Sequence, residues 1–282
     1  MLTLLQRAVD SADHRLVMLA PSQAAVPEFF RIVPSDTTMH DDLLEAVQRL
    51  RGSVYLEDGA IARDQLTADG LHQTPEDARA WHLLIVNGDR VSACVWYLEH
   101  DDARSVEELR VRNCPLNDAA DWRQTFRRAV ESELRRARRN RLRYAELGGW
   151  AVARAHRHGG EGLLLALAAY SLGRAFGGAL GLTTATVRHA SSTILRRLGG
   201  TSLEADGTAV PTYYDPRYQC DMELLRFDSR MPNPRYVPVI ELLSERFATV
   251  PVVARSTDAP YARRVPAPLP AWLPLAAGGA AA

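Results

Sequence analysis

The stretch Val152-Ala153-Arg154-Ala155-His156-Arg157-His158-Gly159-Gly160-Glu161-Gly162 decides how this chain is read. Residues 144–152 before it form a β-rich run, and residues 161–176 after it are apolar at helical spacing. Glycines at such a strand-to-helix junction leave backbone amides bare. The first N–H groups of a helix have no internal partner and its dipole favours an anion, so the junction is a candidate phosphate site. A P-loop needs Gly-Lys-Ser/Thr, which is missing. A dinucleotide fingerprint needs a third glycine where Leu165 stands.

The neighbouring elements follow from the same kind of reading. Residues 29–33 make a short apolar run ending at Pro34, and Ser35 and Asp36 then cap a helix with Leu43, Leu44, Val47 and Leu50 on one face. Residues 81–86 and 91–98 are β-rich and separated by Asn87-Gly88, a strong hairpin signal. Residues 119–139 read as a long helix, acidic at its start and arginine-dense from Arg123 to Arg143. The pair Gly148-Gly149 inside the 144–152 strand predicts a bulge or a close approach to its backbone. Downstream come a strand at 182–187, a short helix at 191–198 and a closing strand at 222–227. These elements predict an α/β domain over residues 29–250, with an N-terminal extension at 1–28 and a flexible Pro/Ala-rich tail at 251–282.

The pattern Val-x4-Arg-x2-Gly-x-Gly, carried by Val152, Arg157, Gly160 and Gly162, resembles the pyrophosphate-binding motif of the GNAT superfamily of acyl-CoA N-acyltransferases. Read from the residues alone, the same turn also fits a chance glycine turn in another α/β protein. The resemblance implies a mostly antiparallel twisted sheet with helices on both faces and a splayed parallel pair at 144–152 and 182–187. It further implies an acyl-CoA or acyl-carrier-protein thioester as co-substrate, held by Trp150, Ala151, Val152, Arg157, His158, Gly159, Gly160, Glu161, Gly162 and Ser191. A free main-chain N–H at 150–152 would stabilise the developing oxyanion. Glu146, alternating with Gly148 on the strand, is the candidate general base, acting directly or through a water; a merely ion-paired glutamate is the plainer alternative. The tyrosine that the family often uses to protonate the leaving thiolate falls at Leu195, a departure that also keeps open a non-catalytic acyl-CoA-binding module.

Residues 50–58, from Leu50-Arg51 to Val54-Tyr55 and Asp58, look like the Arg-x-x-Val-Phe/Tyr segment of acyl-homoserine-lactone synthases, which form a GNAT-fold branch with the N-acyl amino acid synthases. That likeness implies that Arg51 clamps a substrate carboxylate or orders a lid. Residues 213–228 resemble the closing strand of the amino acid synthases, while Asp58, Asp64 and Asp69 are only loose counterparts of the lactone synthases' acidic set. The expected reaction is acyl transfer to a small amine such as an amino acid, with plain acetyl transfer as the alternative. The arginine-dense helix could steer an acidic carrier protein or be a solvated, ion-paired face.

Composition excludes other classes. The chain has 282 residues with 46% hydrophobic and 24% charged, the balance of a globular domain. Lys+Arg and Asp+Glu are equal at 34 each, and there is no lysine, so no Schiff-base amine is present and nothing favours nucleic acid. Cys94, Cys114 and Cys220 lack metal or disulfide spacing, and His156 with His158 finds no third ligand, so no metal is expected. No run approaches a membrane span and charges interrupt the first twenty residues, which makes a cytoplasmic protein the expectation.

Overall fold

The structure, a computed structural model, describes residues 14–157, 159–188 and 191–255. The first thirteen residues of the segment read as an N-terminal extension, His158 and the tail beyond residue 255 lie outside them. In chain order the elements are β1 (His14–Leu19), α1 (Thr37–Glu57), β2 (Trp81–Asn87), β3 (Arg90–His100), α2 (Arg123–Arg139), β4 (Arg143–Val152), α3 (Glu161–Ala175) and β5 (Ala179–Thr186). They continue with α4 (Ser191–Leu198), β6 (Thr201–Ser202), β7 (Glu204–Ala205), β8 (Thr208–Ala209), β9 (Tyr213–Asp215), β10 (Cys220–Asp228), α5 (Val237–Arg246) and β11 (Val252–Val253).

One nine-stranded sheet runs β11-β1-β2-β3-β4-β5-β10-β6, with β9 also paired to β10; β7 and β8 form a separate ribbon. Its pairs are antiparallel except β1–β11 and β4–β5. Strand alternation sends apolar residues to both faces. Met18, Leu83, Ile85, Val95 and Phe227 meet α3 and α5 on one side. On the other, Val17, Leu19, Leu84 and Cys94 meet α1, while Tyr144, Leu180, Leu182 and Leu224 meet α2. Helix α1 starts where Asp36 accepts the Met39 N–H at 2.9 Å, the cap read from the sequence. Helix α3 is buried over most of its circumference, which explains its near-continuous run of leucine and alanine.

The domain is wider than the sequence reading. Strand β1 lies in the segment read as an N-terminal extension, and β11 lies at the start of the segment read as a tail. Residues 29–33 form no strand. Instead Phe30 anchors an irregular crossover by packing on Trp81 and Phe247, and the Ile32 carbonyl accepts the Val252 N–H at 2.9 Å. Residues 119–122 are not helical, so α2 begins at Arg123. No helix among the described residues is long and apolar enough to cross a membrane.

Candidate active site

The centre of the molecule is a place where the sheet comes apart. Strands β4 and β5 pair in parallel only from Arg143–Ala179 to Leu147–Thr183. Thr183 Oγ1 then donates to the Leu147 carbonyl at 2.9 Å, closing the ladder. Beyond that bond β4 stays on β3 and β5 stays on β10, so the two edges diverge. The divergence begins at a bulge: Cys94 pairs with Ala151 but Trp96 pairs with Gly148, leaving Gly149 and Trp150 opposite Val95 alone. Gly149 has φ +62°, and a Cβ there would lie 2.2 Å from Trp96 Cδ1; one on Gly148 would lie 2.3 Å from Trp96 Cζ2. The two glycines therefore serve the indole that crosses them, as well as the bulge read from the sequence.

A cavity of about 640 Å³ fills the splay. One end opens at the Arg157 turn, where Gly160 caps α3 with φ +88° in the left-handed region that glycine adopts freely. Gly162 has a packing role, since a Cβ there would sit 3.1 Å from Val152 Cγ2 and 3.2 Å from the Trp150 indole. Arg157, Gly160, Gly162, Trp150, Ala151, Val152 and Ser191 all line this cavity. Arg157 donates to Asp58 Oδ1 at 2.8 Å, and Arg188 donates to the Asp58 carbonyl at 2.7 Å, so the end of α1 bridges the cavity's rim. From the splay the cavity continues beneath α3, between Ala166, Ala169 and Gly173 on the helix and Ala145, Ala179 and Gly181 on the sheet.

Gly159 is exposed and is not part of the cavity's lining, and three other expected site residues sit elsewhere. Glu161 is buried with its carboxylate 2.9 Å from His156 Nδ1, off the cavity, and so holds the turn from behind. Arg51 is 1% exposed and bonds Asp77 through both nitrogens at 2.7 Å, with the His72 carbonyl at 2.6 Å from Nη2. Burial works against its charge, but Asp77 more than offsets this and holds the guanidinium above its ordinary range. It pins the 72–77 loop and does not reach the cavity, so the carboxylate clamp read at Arg51 is corrected. Glu146 points to the face opposite α3, where it accepts from His100 Nε2 at 2.8 Å, the Arg110 N–H at 2.6 Å and the Val111 N–H at 2.8 Å. Direct contact with the main cavity is therefore ruled out. A void of about 10 Å³, close to the space one water needs, lies between Glu146, Arg110, Thr183 and Thr184.

Other residues come to the splay unannounced. Tyr55, Arg110 and Tyr218 arrive from α1, a 3-10 turn and the β9–β10 turn to line the cavity beside Gly148 and Gly149. Tyr55 donates to the Trp150 carbonyl at 3.4 Å, and burial holds its hydroxyl well above the ordinary phenol range. Arg110 bonds Tyr218 Oη at 3.1 Å, and its guanidinium carbon lies over the Trp96 ring, 5.5 Å from the centroid. Tyr55 and Tyr218 lay within the 50–58 and 213–228 stretches already singled out; Arg110 belongs to a turn with no motif to flag it. Leu195 does line the cavity, where an apolar side chain stands in place of the expected tyrosine. The arginines of α2 mostly have partners: Arg127 pairs with Glu107, Arg136 with Glu133 and Asp228, and Arg138 donates to the Ala103 carbonyl at 2.9 Å. None of the three faces the cavity. No cluster of His, Cys, Asp and Glu among the described residues could hold a metal ion.

The overall fold is similar to that of known structures. BjaI, a CoA-dependent acyl-homoserine lactone synthase, superposes with a TM-score of 0.51 at 15% identity over 86% of this chain and 93% of its own. LasI, an acyl-homoserine lactone synthase, does so at 0.50 and 14% over 78% and 91%. The chain has a GNAT-like fold. FeeM, an N-acyl amino acid synthase from uncultured soil microbes, also matches, at 13% identity and a TM-score of 0.45 over 82% of this chain and 98% of its own. No family model matches the chain, and no curated protein matches it in sequence.

Proposed function

We propose that the chain is an N-acyltransferase that moves an acyl group from a CoA thioester to the amine of a small molecule. The observation that carries this reading is the single cavity that joins a phosphate-type turn, a splayed pair of strands and an apolar passage beneath α3. Its volume lies within the range of about 300–1,000 Å³ typical of small-molecule sites. Arg157 and the bare N–H groups of α3 suit a pyrophosphate. From Val152 to Gly148 the strand, bulged at Gly149, spans at most roughly 13 Å, the scale of a pantetheine arm. The thioester then falls at the bulge, with the acyl chain running under α3. BjaI, whose fold this is, is described as CoA-dependent, which agrees with this choice of donor.

In the reaction the amine nitrogen attacks the thioester carbonyl, a C–N bond forms, and the tetrahedral oxyanion is met by main-chain N–H groups of 148–152. Glu146 takes the amine's proton through a water in the small void it shares with Arg110. The C–S bond breaks as the oxyanion collapses, and the thiolate takes a proton. With Leu195 in the usual tyrosine position, Tyr55 and Tyr218 are the hydroxyls beside the splay. The paired arginines of α2 favour CoA over an acidic carrier protein as the donor. Thiol release with acyl-CoAs of graded length and a panel of small amines tests the reading. Amine-dependent release supports it, whereas tight CoA binding without release under any amine supports the non-catalytic alternative.

A further inference from the structure

Helix α1 ends where its own electrostatics are unfavourable. Its last residues are Glu57 and the cap Asp58, with no basic residue in the last turn, so two carboxylates stand at the negative end of the helix dipole. The backbone there is nevertheless fully closed. Gly59, at φ +64°, donates to the Leu56 carbonyl at 3.1 Å and Ala60 donates to the Tyr55 carbonyl at 2.8 Å, the two bonds of a Schellman end. The missing positive charge comes from across the cavity rim. Arg157, 99 residues away, donates to Asp58 Oδ1 at 2.8 Å, and Arg188, 130 residues away, donates to the Asp58 carbonyl at 2.7 Å. A carboxylate and a helix-end carbonyl thus face two guanidinium groups, at the turn where a phosphate ligand would have to enter. The body of α1 is anchored separately: Arg51 and Gln48 both bond Asp77, Gln48 at 3.0 Å, so the last turn can lift while the helix stays seated.

We propose that the end of α1 is an internal stand-in for the donor's phosphates, a latch in which Asp58 holds Arg157 until an incoming pyrophosphate displaces it. This rests on the acyltransferase reading, which puts the CoA pyrophosphate at Arg157. A guanidinium whose Nη1 is taken by Asp58 cannot offer its full fork to a phosphate, so binding exchanges one charge-assisted pair for another and returns the carboxylate to water. The side chains of Asp58 and Arg157 are 19% and 32% exposed, which keeps the pair weak enough for a doubly charged ligand to open. Donor binding and release of the last turn of α1 are then one event, and linkage requires that loosening the latch strengthen donor binding.

The test is hydrogen exchange at the amides of Asp58, Gly59 and Ala60 in the full chain, with and without CoA or inorganic pyrophosphate, beside calorimetric titration of each ligand. In the wild type, either ligand should speed exchange at these three amides. Asp58→Asn should show the faster exchange before any ligand is added, change little on binding, and hold both ligands about two- to fivefold more tightly. An Asp58 that only repels the ligand would raise affinity in the variant without moving exchange, and one that only caps the helix would move exchange without raising affinity; either result overturns the latch. CoA binding with unchanged exchange in the wild type would also sink the latch, while leaving the acyltransferase reading intact. If pyrophosphate opens the end of α1 and CoA does not bind, the latch stands and the acyltransferase reading falls. Failure of both ligands to bind either protein would overturn both.

Discussion

Substituting Gly148 tests the geometry on which the site is built. A methyl group there would lie 2.3, 2.7 and 2.9 Å from Trp96 Cζ2, Cη2 and Cε2, whereas carbons rest at about 3.5–4.0 Å. Trp96 is 3% exposed with Arg110 across its face, so the ring has little room to swing away. Gly148→Ala should therefore cost about 1–3 kcal/mol, the range for overpacking a filled core. Trp96→Leu deletes the three ring atoms in question, at about 2–5 kcal/mol for the lost burial. If the clash is the cause, the double variant should be about as stable as Trp96→Leu alone, a coupling of about 1–3 kcal/mol. Gly149→Ala should behave otherwise: at φ +62° it adds about 1–2 kcal/mol of left-handed backbone cost that no change at Trp96 relieves. Urea unfolding of the four proteins of the cycle, read as free energies, is the assay. Additivity of Gly148→Ala and Trp96→Leu to within about 0.5 kcal/mol would refute the account of the bulge.

Three further outcomes follow from the same structure. Arg51→Met leaves Asp77 charged and buried, so it should cost about 3–5 kcal/mol in a denaturant melt while the turnover of the folded fraction survives; a normal melt with lost turnover would return Arg51 to the catalytic site. His82 is buried beside Arg51 and its pKa is pushed down to about 4, so between the unfolded value near 6.5 and 4 the unfolded chain binds the extra proton. Stability present above that window should fall by about 3 kcal/mol as pH drops through it, with His72 acting in the same direction, and His82→Gln should flatten the slope. Ala169→Phe should fill the passage beneath α3 and raise the KM of acyl-CoAs more steeply the longer the chain, by a factor of about four for each excluded methylene; a loss independent of length would put the acyl chain elsewhere.

Much of this was legible because local chemistry and fold agree. The Asn87-Gly88 hairpin, the Asp36 cap, the glycine turn before α3 and the bulge at Gly148-Gly149 each follow from one or two residues whose backbone demands are specific. Strands β1 and β11 were missed because four and two apolar residues in mixed surroundings carry no periodic signal; their register comes from β2 and from each other. The site divides in the same way. Its phosphate turn is a contiguous motif, so sequence shows it, apart from Glu161, whose side chain turns back to His156. Arg51 was misplaced because an arginine that pins a loop from inside looks the same in sequence as one that faces a substrate. Glu146 lies on the strand as read, but three N–H donors had claimed its oxygens, two of them backbone groups of residues 110–111 that no pattern announces. Arg110 and Tyr218 are 108 positions apart and meet only because β10 closes the sheet beside β5.

The most direct test of the central claim is native mass spectrometry of the full chain with added CoA and long-chain acyl-CoA, alongside Arg157→Ala. One CoA species bound per chain, tighter when acylated and weakened about tenfold or more in Arg157→Ala, is the predicted result. A protein that retains neither CoA nor acyl-CoA, or an Arg157→Ala variant that binds them as the wild type does, would contradict the placement of the thioester in the splay.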